Sequence, residues 1–318
     1  VPWDRRNQIP LIRAMQSQDN QQTTPAGDTN SPELIYRNGT PGGSPAVPPR
    51  RLALVVEYDG SKYVGFQLQA EHPTIQGELE RGLAKFTGES VRIRGASRTD
   101  SGAHALGQVV DFPTRSAHPV DSFPKALNHY LPDDIEVQAA WEVSLEFHSR
   151  RDAVSRTYRY HILNRPWPSP LRRHTHYWVR NELQVSAMAS AARGLVGDHD
   201  FRWFAMGLPA EKSALRRVHR WEVWQEGDTV VIECEANGFL RHQIRRANAL
   251  LIEIGKGRLP ESTLKNALEG TLSHPLDCPQ APAHGLCLMK VTYRASSRPV
   301  AVAGQSSSPA MRGTRPEV

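Results

Sequence analysis

The chain is poor in cysteine. Its 318 residues hold three, Cys234, Cys278 and Cys287, too few and too scattered for a disulfide framework, and no C-x-x-C pair offers a zinc site. It also lacks any run of about 18 apolar residues, so nothing reads as a membrane span. The first residues, Val1-Pro-Trp-Asp-Arg-Arg6, carry no apolar stretch of signal-peptide length; a transit peptide stays open, with Asp4 and Asp19 speaking mildly against it. A reducing cytoplasm is the expected location. No G-x-G-x-x-G follows a strand pattern, and there is no Walker sequence, no G-x-S-x-G elbow and no H-E-x-x-H. Nucleotide cofactors, a serine nucleophile and a zinc hydrolase all lose their support. His174-Thr-His176 and Asp198-His-Asp200 are the nearest approach to metal ligands, but neither has a second cluster at ligand spacing. We expect no metal and no cofactor.

Charge is in modest excess of one sign. Lys and Arg number 39 against 33 Asp and Glu, giving +6 and a pI near 9.4, a weak pointer to a polyanion. Residues 1–50 contribute +1 and residues 295–318 contribute +2, which leaves +3 on the middle. Bulk charge therefore carries little, and local clusters have to carry more.

Residues 1–50 contain eight Pro and a polar run from Gln16 to Thr24, and residues 295–318 are rich in Ser, Pro and Gly. Both are expected to be disordered. The folded part is placed at about 52–294 and divides into 51–150 and 151–294. In the first part, Leu52–Tyr58 reads as a strand. Ile75, Leu79, Leu83 and Phe86 mark a helix between a Thr74 cap and a Gly88 stop. Val91–Arg94 and Leu106–Phe112 read as strands, Val120–Tyr130 as a helix, and Ile135–Val143 alternates strictly as a strand. The order β-α-β-β-α-β is the split βαβ arrangement.

The second part repeats that order. Strands are expected at Val154–Leu163, Leu215–Gln225, Thr229–Ala236 and Leu286–Tyr293, with a short extra one at Thr175–Val179. Helices are expected at Leu183–Leu195, Phe239–Ile254 and after Pro260, and Glu226-Gly-Asp228 reads as a hairpin turn. The fold class is α+β: two ferredoxin-like halves from an internal duplication, related by a pseudo-twofold axis, with their sheets side by side around a central cleft.

Three segments could carry chemistry. Gly95-Ala-Ser-Arg-Thr-Asp-Ser-Gly-Ala-His104 lies between two strands, with Arg98 two residues before Asp100. A neighbouring cation keeps a carboxylate ionised and so nucleophilic, although taken alone the segment reads more readily as a polar turn. In Thr157-Tyr-Arg-Tyr160, Tyr158 and Tyr160 share one strand face and Arg159 takes the other, which suits either base stacking or a plain core. Asn237-Gly-Phe-Leu-Arg-His-Gln-Ile-Arg-Arg246 opens a helix with three Arg and one His in six positions. Arg245, on the flank of its apolar face, can reach either a cleft or solvent.

Together these segments resemble the tRNA pseudouridine synthase A family. Ser97-Arg-Thr-Asp-Ser-Gly-Ala-His104 is similar to the family's Gly-Arg-Thr-Asp-x-Gly-Val-His. The Tyr58–Gln69, Thr157–Tyr160, Asp198–Phe201, Phe239–Arg245 and Ala283–Leu288 segments follow in the family's order. The departures are Ser97 for Gly, Ala103 for Val, Phe66 for Trp and Arg151 for Phe. The resemblance implies an isomerase that turns uridine into pseudouridine at positions 38, 39 and 40 of the tRNA anticodon stem-loop. It implies a homodimer with tRNA as partner, no DNA and no membrane. Asp100 becomes the catalytic carboxylate, Arg98 fills the space of the flipped base and pairs with Asp100, Tyr158 stacks on the uracil, and Arg245 holds Asp100. The rival reading is a non-catalytic RNA-binding or tRNA-chaperone protein on the same fold, with a metal-dependent hydrolase more distant.

Overall fold

A computed structural model describes residues 48–272 and 279–294. The segments expected to be disordered, and Cys278, lie outside the described residues except for residues 48–50. The first strand, β1 (Arg50–Tyr58), buries Leu52, Leu54 and Val56 completely. These side chains join Leu79 and Leu83 of helix α1 (Ile75–Thr87) and Phe123 and Leu127 of α2 (Ser122–Tyr130) in one core. Helix α1 begins and ends as its sequence dictates. The Thr74 hydroxyl accepts from the Gly77 N–H at 3.2 Å, and Gly88 closes the helix at φ 74°, a left-handed position that glycine adopts without Cβ strain.

The remaining elements are β2 (Arg94–Gly95), β3 (His104–Thr114), β4 (Ile135–Val143), β5 (Ala153–Asn164), β6 (Tyr177–Val179), α3 (Val185–Arg193), β7 (Gly197–Asp200), β8 (Leu215–Glu226), β9 (Thr229–Ala236), α4 (Gln243–Gly255), α5 (Thr263–Glu269) and β10 (Leu286–Tyr293). The architecture is mixed α+β. Where the sequence reading places two sheets, the ten strands form one, in the order β4-β1-β3-β10-β5-β9-β8-β7, with β2 on β3 and β6 on β5. The join is short: β10 runs parallel to β3 over Cys287–His104 and Leu288–Ala105 alone. Gly107 permits the close approach, since a Cβ there would lie 2.6 Å from the Met289 carbonyl oxygen. Among the described residues no helix is long and apolar enough to cross a membrane.

Two expectations are corrected, and one strand appears where the sequence reading assigns none. The strand placed at Val91–Arg94 starts only at Arg94, because side chains of α1 take the backbone groups of Ile93. Its N–H donates to Glu80 Oε1 at 3.0 Å and its carbonyl accepts from Gln76 Nε2 at 3.3 Å. The segment after α3 is a strand, β7, paired with the start of β8. The helix expected from Phe239 starts at Gln243. His242 sits in the left-handed region at φ 63°, and the Gln243 amide oxygen reaches back to the Leu240 N–H at 2.8 Å.

A buried carboxylate ties these pieces together. Asp111 on β3 has no exposure. It accepts from Arg51 Nη1 at 2.6 Å, Arg94 Nη2 at 2.5 Å and the Ser149 N–H at 2.9 Å. Tyr293 of β10 donates to the Ser149 carbonyl at 2.7 Å. Burial alone would raise the Asp111 pKa, but the hydrogen bonds from Arg94 and Ser149 and the Arg94 charge outweigh it and hold the carboxyl below the usual range. Its stabilisation is complete above the ordinary carboxylate pKa and is lost as pH falls through the depressed one. Asp111→Ala is expected to cost about 3 kcal/mol, the lower end for breaking a buried pair because both arginines keep some solvent. Urea denaturation at pH 7 and at successively lower pH measures both the loss and its decline in acid.

Candidate active site

The loop from Ser97 to Ala103 is gripped on all sides. Thr99 accepts the Phe66 N–H on its carbonyl at 3.1 Å, and its hydroxyl meets the Tyr58 hydroxyl at 2.7 Å. The Gly102 N–H and the Ser101 hydroxyl both donate to the Tyr63 carbonyl, at 3.3 and 3.2 Å. Gly60 lies against the far end of the loop so tightly that a Cβ there would fall 1.9 Å from the Ala103 carbonyl oxygen. Phe66 is 2% exposed, and its ring would be 2.4 Å from a Cβ on Gly95. The glycine therefore makes room for the ring beneath the loop.

Asp100 is held out of this loop toward α4. Arg245 Nη1 donates to Asp100 Oδ2 at 2.8 Å across 145 residues of sequence. The Arg245 Nε donates to the Ala281 carbonyl at 2.8 Å, and the Ala281 N–H returns a bond to the Arg245 carbonyl at 3.0 Å. The guanidinium thus has its direction fixed before it meets the carboxylate. The other oxygen, Oδ1, faces His242 Nε2 at 3.7 Å. The left-handed turn that delays α4 is what leaves His242 in that place, and nothing in the sequence pattern singles it out. Burial lowers the His242 pKa, Asp100 opposes the fall, and Arg245, Arg241 and Arg246 reinforce it, so the ring is neutral at neutral pH.

Tyr158 on β5 is 6% exposed. Its hydroxyl hydrogen-bonds the Ser97 hydroxyl, and Phe239 packs edge-on against its ring at 5.5 Å. Burial pushes its pKa up to about 12, against the opposing effects of the Ser97 hydrogen bond and the Arg156 charge. The phenol stays protonated at neutral pH. Tyr160 is wholly core, donating to the Pro282 carbonyl at 2.9 Å, so the plain-core reading holds for that residue. Arg159 on the other face pairs with Glu233 at 2.5 Å.

Asp100 and Arg245 are therefore brought together, Tyr158 is joined to the Asp100 loop through Ser97, and Arg98 is not part of the pair. Arg98 is exposed, near enough to Arg150 to depress that guanidinium's pKa after burial has done so, while Asp100 has Arg245 and His242 as its partners. The expected Arg98–Asp100 pairing is corrected accordingly: the carboxylate is turned across to α4. Of the basic cluster at the head of α4, Arg246 is tied to the Ala205 carbonyl at 2.9 Å and lies over the Trp203 ring, and Arg241 is exposed.

A cavity of about 430 Å³ opens beside Arg245, lined by Ser61, Ser101, Gly102, Arg173, His174 and His284. Arg173 and His174 reach it from the β5–β6 connection. Asp228 straps that connection to the β8–β9 turn through Arg165 at 3.0 Å and Arg172 at 2.6 Å. His104 supports the same wall. Its Nδ1 accepts from the Gly60 N–H at 3.2 Å, so Nε2 carries the proton and donates to the His174 carbonyl at 2.7 Å. Among the described residues no three His, Cys, Asp or Glu converge on a metal-sized site. Asp198, singled out in the sequence as a possible ligand, is paired with Arg217 at 2.8 Å.

A family model described as "tRNA pseudouridine synthase" matches residues 54–152 and 191–294. The chain belongs to the tRNA pseudouridine synthase A family. Among similar proteins, the tRNA pseudouridine synthase A of Thermus thermophilus is 42% identical, over 77% of this chain and 97% of the relative. That of Geotalea daltonii is 40% identical over 77% of this chain and the whole of the relative. That of Roseiflexus castenholzii is 43% identical over 77% and 91%. The matches of the family model take in Asp100 and Arg245 and stop short of Tyr158, which lies between them.

For this pseudouridine synthase the ion pair makes two predictions. Arg245→Ala is expected to lower turnover by at least about a hundredfold, as removal of a preorganised charged partner does, while tRNA binding changes only a few-fold. Single-turnover rates and filter binding separate the two. Protonation of His242 in acid would set a cation beside Asp100 Oδ1. Turnover is therefore expected to fall as pH drops through the depressed imidazole range, and His242→Asn to flatten that limb of the pH–rate profile.

Proposed function

We propose that this tRNA pseudouridine synthase isomerises uridine in the anticodon stem-loop, at positions 38, 39 and 40, with Asp100 as its catalytic carboxylate. The observation that carries the reading is the Asp100–Arg245 pair, a carboxylate with one oxygen anchored by a guanidinium, with Tyr158 tied to the same loop through Ser97. Asp100 acts on the ribosyl carbon, by attack at C1′ or by way of a glycal. The C1′–N1 bond breaks with its electron pair on uracil N1, the base turns, and C5 bonds to C1′. The proton lost from C5 balances the one gained at N1, so the isomerisation uses neither oxidant nor reductant.

Tyr158 serves as the platform for the extruded uracil. Its protonated, anchored phenol suits a stacking role rather than that of a strong base. Arg98, exposed beside Arg150, is free to fill the space the target base leaves. Flipping costs a few kcal/mol, and stacking with cation contacts offsets it. Two ferredoxin-like halves, 51–150 and 151–294, related by a pseudo-twofold axis, account for the strand orders β4-β1-β3-β2 and β10-β5-β9-β8. The protein works as a cytoplasmic homodimer on tRNA. A non-catalytic RNA-binding role leaves the held carboxylate without a purpose.

Pseudouridine mapping by carbodiimide modification and primer extension on tRNA treated with the pure protein tests the positions. Stops are expected at 38, 39 and 40 and nowhere else. In the same assay Tyr158→Phe, which keeps the ring, is expected to stay within about tenfold of the wild type, whereas Tyr158→Ala loses about 1–3 kcal/mol of base binding.

A further inference from the structure

Ser97 stands where the family motif has Gly, and its hydroxyl is the one hydrogen-bond partner of the Tyr158 phenol among the described residues. The serine is itself held in place. Gln108, with no exposure, accepts the Ser97 N–H on Oε1 at 3.1 Å and donates from Nε2 to the Ser97 carbonyl at 2.7 Å. The same amide nitrogen reaches the Tyr58 hydroxyl at 3.4 Å, which meets Thr99 Oγ1 at 2.7 Å. Residues 97 and 99 are thus pinned on either side of Arg98 by buried groups, and the Ser97 hydroxyl is presented to β5 at a fixed point. The Tyr158 ring is then fixed twice, by the edge-on packing with Phe239 and by Ser97 at its hydroxyl.

We propose that Ser97 is a positioning residue for the isomerisation, its hydroxyl holding the Tyr158 phenol in place and away from Asp100. The proposal rests on the assignment of Tyr158 as the base platform. The physical reason is that a buried phenol left without a partner carries a desolvation cost and moves to recover a hydrogen bond. Asp100 stands three residues on from Ser97 in the same loop, with Oδ2 taken by Arg245 and Oδ1 facing His242 at 3.7 Å, and a carboxylate oxygen is a stronger acceptor than a hydroxyl. A phenol bonded to that oxygen would occupy the atom that has to react and tilt the ring out of the stacking plane. Ser97 prevents this while lying outside the reacting atoms itself. It acts through Tyr158, so its removal is felt in the chemical step and not in the capture of tRNA.

The test compares Ser97→Ala, Ser97→Thr, Tyr158→Phe and the Ser97→Ala/Tyr158→Phe double variant, reading kcat and KM separately for pseudouridine formation in tRNA. Loss of one buried neutral hydrogen bond is expected to lower kcat of Ser97→Ala by roughly three- to tenfold with KM unchanged. Ser97→Thr keeps a hydroxyl and is expected to recover most of that loss. In the Tyr158→Phe background Ser97→Ala is expected to have no further effect, because the phenol it serves has gone. A Ser97→Ala enzyme with wild-type kcat overturns the proposal. So does a Ser97→Thr enzyme as impaired as Ser97→Ala, or an undiminished Ser97→Ala loss in the Tyr158→Phe background. Pseudouridine formation by the wild type is read in parallel, so failure of the activity itself is distinguished from failure of the Ser97 assignment.

Discussion

The Asp100–Arg245 ion pair is the interaction on which the site depends. Its two partners come from loops and helices 145 residues apart, and much of the surrounding structure serves to bring them within 2.8 Å. The Asp100 loop cannot drift, because Gly60, Phe66 and Tyr63 close on its backbone. Arg245 cannot swing away, because Ala281 holds both its Nε and its carbonyl. An ion pair gripped at both ends costs little further ordering when substrate arrives, and that is the condition under which electrostatic preorganisation contributes most to a rate.

The single sheet has the same effect. The β3–β10 contact is only two residue pairs long, yet β3 begins just after the Asp100 loop, and β10 begins just after Ala281 and the Pro282 carbonyl that receives Tyr160. Asp111 further along β3 adds a second tie, through Ser149 to Tyr293 at the far end of β10. One tie sits beside the site and the other stabilises the seam at a distance. Buried Arg156 closes the gap between them. It is bonded to the carbonyls of Ala153, Asn237, Ala96 and Arg150, a cation satisfied by backbone oxygens and so still a source of positive potential beside Tyr158.

Much of this was legible in the residues. β4 and β10 fall on the expected boundaries because strict alternation or an apolar run bounded by turn residues leaves one reading. Helix α1 does so because Thr74 and Gly88 are chemical punctuation. The motif around Asp100 and the arginine on α4 marked the two halves of the ion pair. What escaped the sequence was set by tertiary contacts. Gln76 and Glu80 strip Ile93 of its strand partners, and neither residue announces that from α1. β7 is a polar strand at the end of the sheet, with too few apolar residues for a period. His242 adopts a left-handed backbone that nothing in Arg-His-Gln foretells, and that turn both delays α4 and places an imidazole beside Asp100. Arg98, two residues from Asp100, was expected to pair with it; proximity along a chain says little once a loop directs the side chains to different neighbours.

The measurement that bears most directly on the central claim is tritium release from tRNA carrying C5-labelled uridine, for the wild type and for Asp100→Asn, with tRNA affinity measured on the same preparations. Asn keeps the shape of the side chain and removes the charge that Arg245 holds. The account predicts full release by the wild type, none above background by Asp100→Asn, and affinities within a few-fold of each other. Continued release by pure Asp100→Asn protein would contradict it.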